Sequence, residues 1–142
     1  MTCNLPPALA TFNFKLMPTR YFTVEEANAA LPPLNEQLEQ LMHARRTIIQ
    51  ARPELWPVLK KSLGNGGSKK AGEMLPQFER VQAAVAAIEA MGIVLKDPDT
   101  GLVDFLNRRP DGREVYLCWR YGEKEVAFWH ELDAGFAGRK RL

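Results

Sequence analysis

The chain has 142 residues, of which 46% are hydrophobic and 25% are charged, and its formal net charge is +2. These values are typical of one soluble globular domain with a hydrophobic core. They argue against a protein that binds nucleic acid through bulk positive charge, and no run of about 18 apolar residues predicts a membrane span.

Cysteine use indicates the compartment. Cys3 and Cys118 are the only cysteines, and Cys3 precedes the patterned part of the sequence, so we expect no structural disulfide. A chain without disulfides is typical of a reducing compartment, and we predict a cytoplasmic protein. We expect residues 1–20 to be an N-terminal arm or an upstream extension, with Met17 as an alternative start, and residues 21–142 to form a single domain.

A capping box predicts the start of the helical half. Thr23 at the N-cap, Glu26 three residues later and Phe22 just before them are the usual start signal of a helix. Residues 32–33 are both proline, which cannot donate a helical hydrogen bond, so we predict a kink or break near residues 30–31. An apolar seam at heptad spacing is then formed by Leu31, Leu34, Leu38, Leu41 and Ile48.

This seam, interrupted by Arg45, needs an apolar partner in the same chain or in another. A glycine-rich segment at residues 64–72 is predicted to be a mobile linker, and a second long helix is predicted for residues 73–91, with Gly92 in the position of a C-terminal cap. Two long helices joined in this way most simply pack antiparallel. We therefore predict a long antiparallel helical hairpin over residues 23–92, with a kinked first helix.

After Gly92 the apolar period changes from that of a helix to that of a strand. Turn signals rich in proline, glycine and aspartate separate the segments, and such short connections make neighbouring strands antiparallel. The predicted fold class is α+β, in which the helical hairpin is followed by a small antiparallel β-meander and tail over residues 93–142. The four predicted strands are residues 93–96, 102–106, 114–120 and 125–131.

A register for these strands identifies candidate side chains. A tight turn at Gly122 would pair Val115 with His130, and a turn at Gly112 would bring Asp104 beside Val115. Asp104 and His130 then flank Val115 on the face directed at the helices.

The same register makes two further predictions. Cys118 would lie on the face opposite His130, so a Cys/His nucleophile pair is not expected. Glu114 and Glu131 would stand opposite each other, and such like charges require a metal, a basic side chain or solvent between them.

Two interpretations of Asp104 and His130 remain open. A buried aspartate must be paired, so the two residues could form a structural network at the end of the sheet. Aspartate and histidine also suit borderline divalent metals, which predicts a ligand or metal site that Arg139 assists by neutralising an anionic group. The ligand-binding candidates are Asp104, Trp129, His130, Glu131 and Arg139, and the metal candidates are Asp104 and His130.

Three segments carry a family resemblance: FTVEEANAALP, GLVDF and GREVYLCWRYGEKEVAFWHELDAGFAGR. They resemble the prokaryotic domain of unknown function 2203 family over roughly residues 20–142, and the resemblance implies no established activity. The positions that match the family's pattern are Glu25, Glu26, Asn28, Leu31, Pro32, Asp104, Trp119, Gly122, Glu123, Trp129, His130, Gly135, Gly138 and Arg139.

Two functions of different class follow from these observations. The first is an oligomeric helical scaffold or interaction module, which we expect to be a homodimer associated through the heptad seam. The alternative is a protein that binds a small molecule or a metal at a site around Asp104 and His130. This alternative includes an enzyme that uses the same site. No nucleophile, phosphate loop or cofactor fingerprint accompanies this pair, so the sequence assigns no reaction.

Overall fold

The fold is known from a computed structural model that describes residues 19–63 and 69–142. Most of the predicted arm and the first part of the predicted linker lie outside these residues. None of the helices in the described ranges is both long and apolar enough to cross a membrane. The helices are α1 (Val24–Ala29), α2 (Leu31–Ala51), α3 (Leu55–Lys61) and α4 (Leu75–Ala90), and a short 3-10 segment spans Lys69–Met74.

The helix boundaries follow the local signals in the sequence. The Thr23 hydroxyl accepts the N–H of Glu26 at 3.0 Å, and the Glu26 carboxylate accepts the N–H of Thr23 at 2.9 Å, which confirms the capping box. Ala30 alone separates α1 from α2, and the two prolines occupy the first turn of α2, where no N–H donor is needed. Gly92 follows α4 with φ +83°, a conformation that glycine adopts without strain.

The second half is one antiparallel sheet in the strand order β1-β2-β3-β4-β5. Helices followed by an antiparallel sheet confirm the predicted α+β class. The sheet has five strands instead of the four predicted, because residues near the C-terminus pair with β4. The strands are β1 (Val94–Asp97), β2 (Leu102–Arg108), β3 (Glu114–Arg120), β4 (Phe128–Glu131) and β5 (Lys140–Arg141).

The heptad seam lies inside the chain. Leu34 and Leu38 are fully buried in a cluster with the sheet residues Leu117 and Trp119. Farther along α2, Ile48 is fully buried in a second cluster formed with α3 and α4. The seam therefore packs within one chain.

The predicted register is wrong on both sides of β3. Val115 pairs with Glu131, one residue beyond the predicted partner, and Asp104 pairs with Cys118 instead of Val115. Trp129 consequently lies on the face directed at the helices, and His130 lies on the opposite face. We call the face away from the helices the outer face.

Two hydrogen bonds account for the shift at β4. The backbone N–H of Arg120 donates to the Glu123 carboxylate at 2.8 Å, so this side chain folds back on the end of β3. The N–H of Val126 donates to the Asn28 side chain at 2.8 Å and is thereby lost to the strand ladder. Both contacts lengthen the connection between β3 and β4, so that β4 begins only at Phe128.

Asp99 ties the helices to the turn between β1 and β2. Its carboxylate accepts hydrogen bonds from Arg45 at 2.9 Å, from Trp56 at 2.7 Å and from Lys60. Partial burial alone would raise the pKa of Asp99, but these three donors outweigh it and lower the pKa to about 2. Arg45 interrupts the apolar heptad seam because its side chain is needed to pair with Asp99.

This cluster predicts acid-sensitive stability. Because the folded pKa of Asp99 lies below its ordinary value of 3.8, its contribution is fully present above about pH 4 and is lost as the pH falls to about 2. We expect Asp99→Asn to lose about 1–2 kcal/mol of unfolding free energy at pH 7, after allowance for partial exposure, and to show a shallower acid transition. Urea titrations between pH 2 and 7 measure this, with exposed Asp133→Asn as control; parallel wild-type and variant curves would contradict it.

Candidate metal centre

Three adjacent strands bring Asp104, Cys118 and His130 together on the outer face. Asp104 pairs directly with Cys118, and His130 pairs with Tyr116, which places it diagonally beside Cys118. The three residues are 1%, 0% and 2% exposed. One ligand atom from each lies within 4.8 Å of the other two, and no other such group of three His, Cys, Asp or Glu residues occurs in the described ranges.

Hydrogen bonding fixes the tautomer of His130. Its Nδ1 lies 2.7 Å from the backbone carbonyl oxygen of Glu131, and a carbonyl can only accept, so Nδ1 carries the hydrogen. In a neutral ring the lone pair is then on Nε2, which lies 3.0 Å from Oδ1 of Asp104. Without a metal, one proton must lie between these two atoms. The bond from Nδ1 to a carbonyl also orients many metal-binding histidines.

Asp104 has a buried oxygen without a partner. Its Oδ2 atom is sealed from solvent and has no partner at ordinary hydrogen-bonding distance within the described part of the chain, although the neighbouring Cys118 thiol, a weak donor, also acts to lower the pKa of this carboxyl. Burial raises the pKa of Asp104, and the hydrogen bond with His130 acts in the opposite direction. A buried carboxylate oxygen without a donor or cation is costly. The arrangement therefore has a buried acceptor that a cation between the three side chains would satisfy.

Cys118 does not have the surroundings of a catalytic nucleophile. Desolvation raises the pKa of its thiol to about 11, although Arg139 acts in the opposite direction. Both nitrogens of His130 are already engaged, so neither is free to remove the thiol proton. The prediction that Cys118 and His130 lie on opposite faces is wrong.

Arg139 places a positive charge beside the thiol. Its Nη1 atom lies 3.8 Å from Sγ of Cys118, and its guanidinium also donates to both oxygens of Glu123. The guanidinium stacks 3.9 Å above the ring of Phe128. The Arg139–Glu123 pair is neutral as a unit, and its Nη1 would donate to a Cys118 thiolate.

The other predicted site residues lie elsewhere. Trp129 is on the helix-facing side of the sheet, where Arg109 stacks 4.2 Å from its ring. The carboxylate of Glu131 pairs with Arg113 at 3.4 Å, and only its backbone carbonyl contacts the site.

The predicted contact between Glu114 and Glu131 does not form. Glu114 pairs with Arg108 across β2 and β3, and Tyr21 donates to its carboxylate at 2.5 Å. The like-charge argument for a cation at that position is therefore removed.

Cys118 is the site residue that the sequence prediction missed. Strand alternation places Cys118 two residues from Tyr116, on the face away from Leu117 and Trp119. That much was predicted. Only the register of β2 and β4 decides whether Asp104 and His130 share this face, and the contacts of Glu123 and Asn28 set the register of β4.

Comparison with known proteins agrees with the sequence resemblance. The profile of the DUF2203 family, described as an uncharacterized conserved protein, matches residues 20–142. No curated protein and no solved structure matches the chain. Because the match covers nearly the whole patterned sequence, the chain belongs to the DUF2203 family.

Proposed function

We propose that this protein binds a divalent transition metal ion, with Zn²⁺ as the best fit, through Asp104, Cys118 and His130. The observation that carries the proposal is the buried, unpartnered Oδ2 of Asp104, which shares its surroundings with a thiol and an imidazole lone pair. A bound ion would satisfy all three groups at once. A purely structural Asp–His pair would leave this oxygen with only the weak Cys118 thiol as a donor.

The ligand types select among metals. A thiolate, an imidazole nitrogen and a carboxylate suit Zn²⁺ and related transition metals, whereas Mg²⁺ and Ca²⁺ prefer oxygen ligands alone. A thiolate and a carboxylate also balance the charge of a divalent ion, and the adjacent Arg139–Glu123 pair adds no net charge.

The geometry requires only small movements of the three side chains. Ligand atoms around one tetrahedral Zn²⁺ lie about 3.3–3.6 Å apart, given bond lengths of about 2.0–2.3 Å. Nε2 of His130 lies 3.0 Å from Oδ1 of Asp104, slightly closer than two ligands of one ion, and one ligand atom from each of the three residues lies within 4.8 Å of the other two. Three protein ligands leave one tetrahedral position for water or an exogenous ligand, as in catalytic zinc sites.

Metal analysis tests the proposal directly. Protein purified without an affinity tag is expected to bind about one equivalent of Zn²⁺ per chain. Substitution with Co²⁺ is expected to give a thiolate-to-metal charge-transfer band, which reports the Cys118 ligand separately from the other two. A protein that binds neither ion would overturn the proposal.

The chain supplies a matched control for each ligand. We expect Cys118→Ser to abolish the charge-transfer band and His130→Gln to weaken metal binding at least about tenfold. The controls Cys3→Ser and His43→Gln, which remove the only other cysteine and histidine, should bind metal as the wild type does. Equal loss in variants and controls would show adventitious binding.

The helical half is proposed to be an antiparallel hairpin kinked at Ala30, because Leu38 shares a cluster with Ile88 whereas Ile48 shares one with Phe78.

A homodimer is also proposed, on a surface other than the seam. The seam residues are buried in one chain, so an interface has to use exposed apolar side chains such as Leu132. Light scattering distinguishes a dimer from the 16.1 kDa chain.

We also propose a cytoplasmic location. Cys118 is a free thiol, and a metal-binding thiolate persists most readily in a reducing compartment.

A further inference from the structure

A cavity of about 830 Å³ opens at the β1 edge of the outer face. It lies between the C-terminal end of α4, the strands β1 to β3 and residues 19–21. Most of its lining surface is apolar, and one of the lining residues, Val94, is 37% exposed. The wall residues that the argument uses are Ile93, Val94, Leu95, Leu106 and Tyr116.

The rim of this cavity carries one charge of each sign. Arg20 donates through Nη1 to the Met91 carbonyl at 2.7 Å and stacks 4.1 Å above Phe22, which holds the guanidinium, a group with five N–H donors, at the rim. Glu89 lies at the same rim, on the last turn of α4. In the described part of the chain no ion pair within 4 Å involves either side chain.

These charges define the chemistry of a complementary ligand. A carboxylate would pair with Arg20, where a guanidinium offers a bidentate fork. An ammonium group would pair with Glu89 and would also be favoured by the negative end of the α4 dipole. Apolar groups between the two would bury the wall that Val94 now exposes.

We propose that the cavity binds a short apolar peptide of two or three residues with free termini. The cavity volume falls within the range of about 300–1,000 Å³ that is typical of sites for drug-sized ligands. A single amino acid would fill only part of it. The two termini of the peptide would pair with the charged side chains at the rim, and its apolar side chains would pack against the cavity wall. This inference is independent of the metal centre. Tyr116 lies between the cavity and that centre, and the Tyr116 ring is 5.7 Å from the His130 ring.

Calorimetric titration with the dipeptide Leu-Leu tests the proposal. The expected result is saturable binding at one site, with N-acetyl-Leu-Leu and Leu-Leu-amide each binding about tenfold more weakly, because each lacks one charged terminus. Gly-Gly should not bind measurably, because it has no apolar side chains. Equal affinities for Leu-Leu and its N-acetyl form would instead indicate a simple amphipathic acid and overturn the proposal.

Two charge variants assign the termini. We expect Arg20→Gln to weaken Leu-Leu about tenfold and to leave the affinity for Leu-Leu-amide unchanged, because that ligand has no carboxylate to lose. Glu89→Gln should weaken Leu-Leu similarly and leave N-acetyl-Leu-Leu unchanged. The exposed pair Arg46→Gln and Glu36→Gln on α2 serves as control, and a similar loss in these variants would contradict the assignment.

A third variant fills the cavity. Val94→Trp is expected to abolish binding, whereas Val58→Trp, at a position on α3 that is also 37% exposed, should have no effect. Binding that appears only after residues 1–18 are removed would assign the cavity to that segment and overturn the proposal. A protein that binds Co²⁺ with the charge-transfer band but no peptide refutes this inference alone.

Discussion

Replacing Trp119 by alanine is expected to lower the free energy of unfolding by about 3–5 kcal/mol, a large part of the stability of a domain of this size. The indole is fully buried and is the largest such side chain in the described residues, packed with Leu38 and Leu117. Its truncation leaves a cavity in the layer that joins helices to sheet. Thermal unfolding should shift down by about 10 °C.

Two further variants separate packing from hydrogen bonding at Trp119. The indole Nε1 donates to the backbone carbonyl of Glu123 at 3.1 Å, so Trp119→Phe should keep most of the apolar contact and lose about 1–2 kcal/mol. Trp129→Ala removes a half-buried indole on the same face and should cost less than Trp119→Ala. If the two alanine variants cost the same, Trp119 does not have the central role assigned to it.

Local signals in the sequence were sufficient for most of the helical half. The Thr23 capping box, the proline pair before Leu34 and the glycine after α4 each act within a few residues, so their structural effect can be read directly from the chain. The change of apolar period after Gly92 likewise identifies the sheet. These signals predicted the α+β class and the faces of β3.

Strand register depended on contacts that no local pattern reveals. Asn28 and Val126 are 98 positions apart, yet their hydrogen bond helps to decide which face His130 occupies. Glu123 lies in the tight turn predicted after β3, where its N–H donates to the Arg120 carbonyl, but its carboxylate also accepts hydrogen bonds from Arg120 and Arg139, which the local pattern does not reveal. A shift of one residue exchanges every side chain of β4 between faces.

The candidate site was therefore predicted in part. Asp104 and His130 were paired through a predicted register that placed both on the helix-facing side of the sheet. Because the strands on both sides of β3 are shifted, the two residues instead meet on the outer face, where a buried aspartate and a histidine satisfy each other. Cys118 could be added only after the register was known, because its own strand gives no indication of what lies beside it. Arg139 was predicted as a positive charge near the site, and it contacts the Cys118 thiol.

The site also connects to the core through Glu123. The Trp119 indole holds the backbone of Glu123, and the Glu123 carboxylate holds Arg139 against Cys118. Positions that match the family's pattern thus form a continuous path from the helix-facing layer to the outer face. This path gives Glu123 and Arg139 a positioning role toward the Cys118 thiolate.

Metal binding is expected to have the second large effect, on stability. Free Zn²⁺ at about a thousand times its dissociation constant should stabilise the wild-type protein by about 4 kcal/mol, because the folded site binds the ion and the unfolded chain binds it weakly. Asp104→Asn should abolish most of this gain. The exposed variant Asp133→Asn should retain it in full.

The metal-free proteins should behave differently. An asparagine at position 104 can donate its amide N–H to Nε2 of His130, whose lone pair faces it, so we expect Asp104→Asn to change the metal-free unfolding free energy by less than about 1 kcal/mol. The same substitution would thus be nearly neutral without metal and strongly unfavourable with it. Chemical denaturation in chelator and in excess Zn²⁺ measures both. A loss of about 3–5 kcal/mol in chelator, with no stabilisation of the wild type by Zn²⁺, would identify Asp104 and His130 as a structural pair.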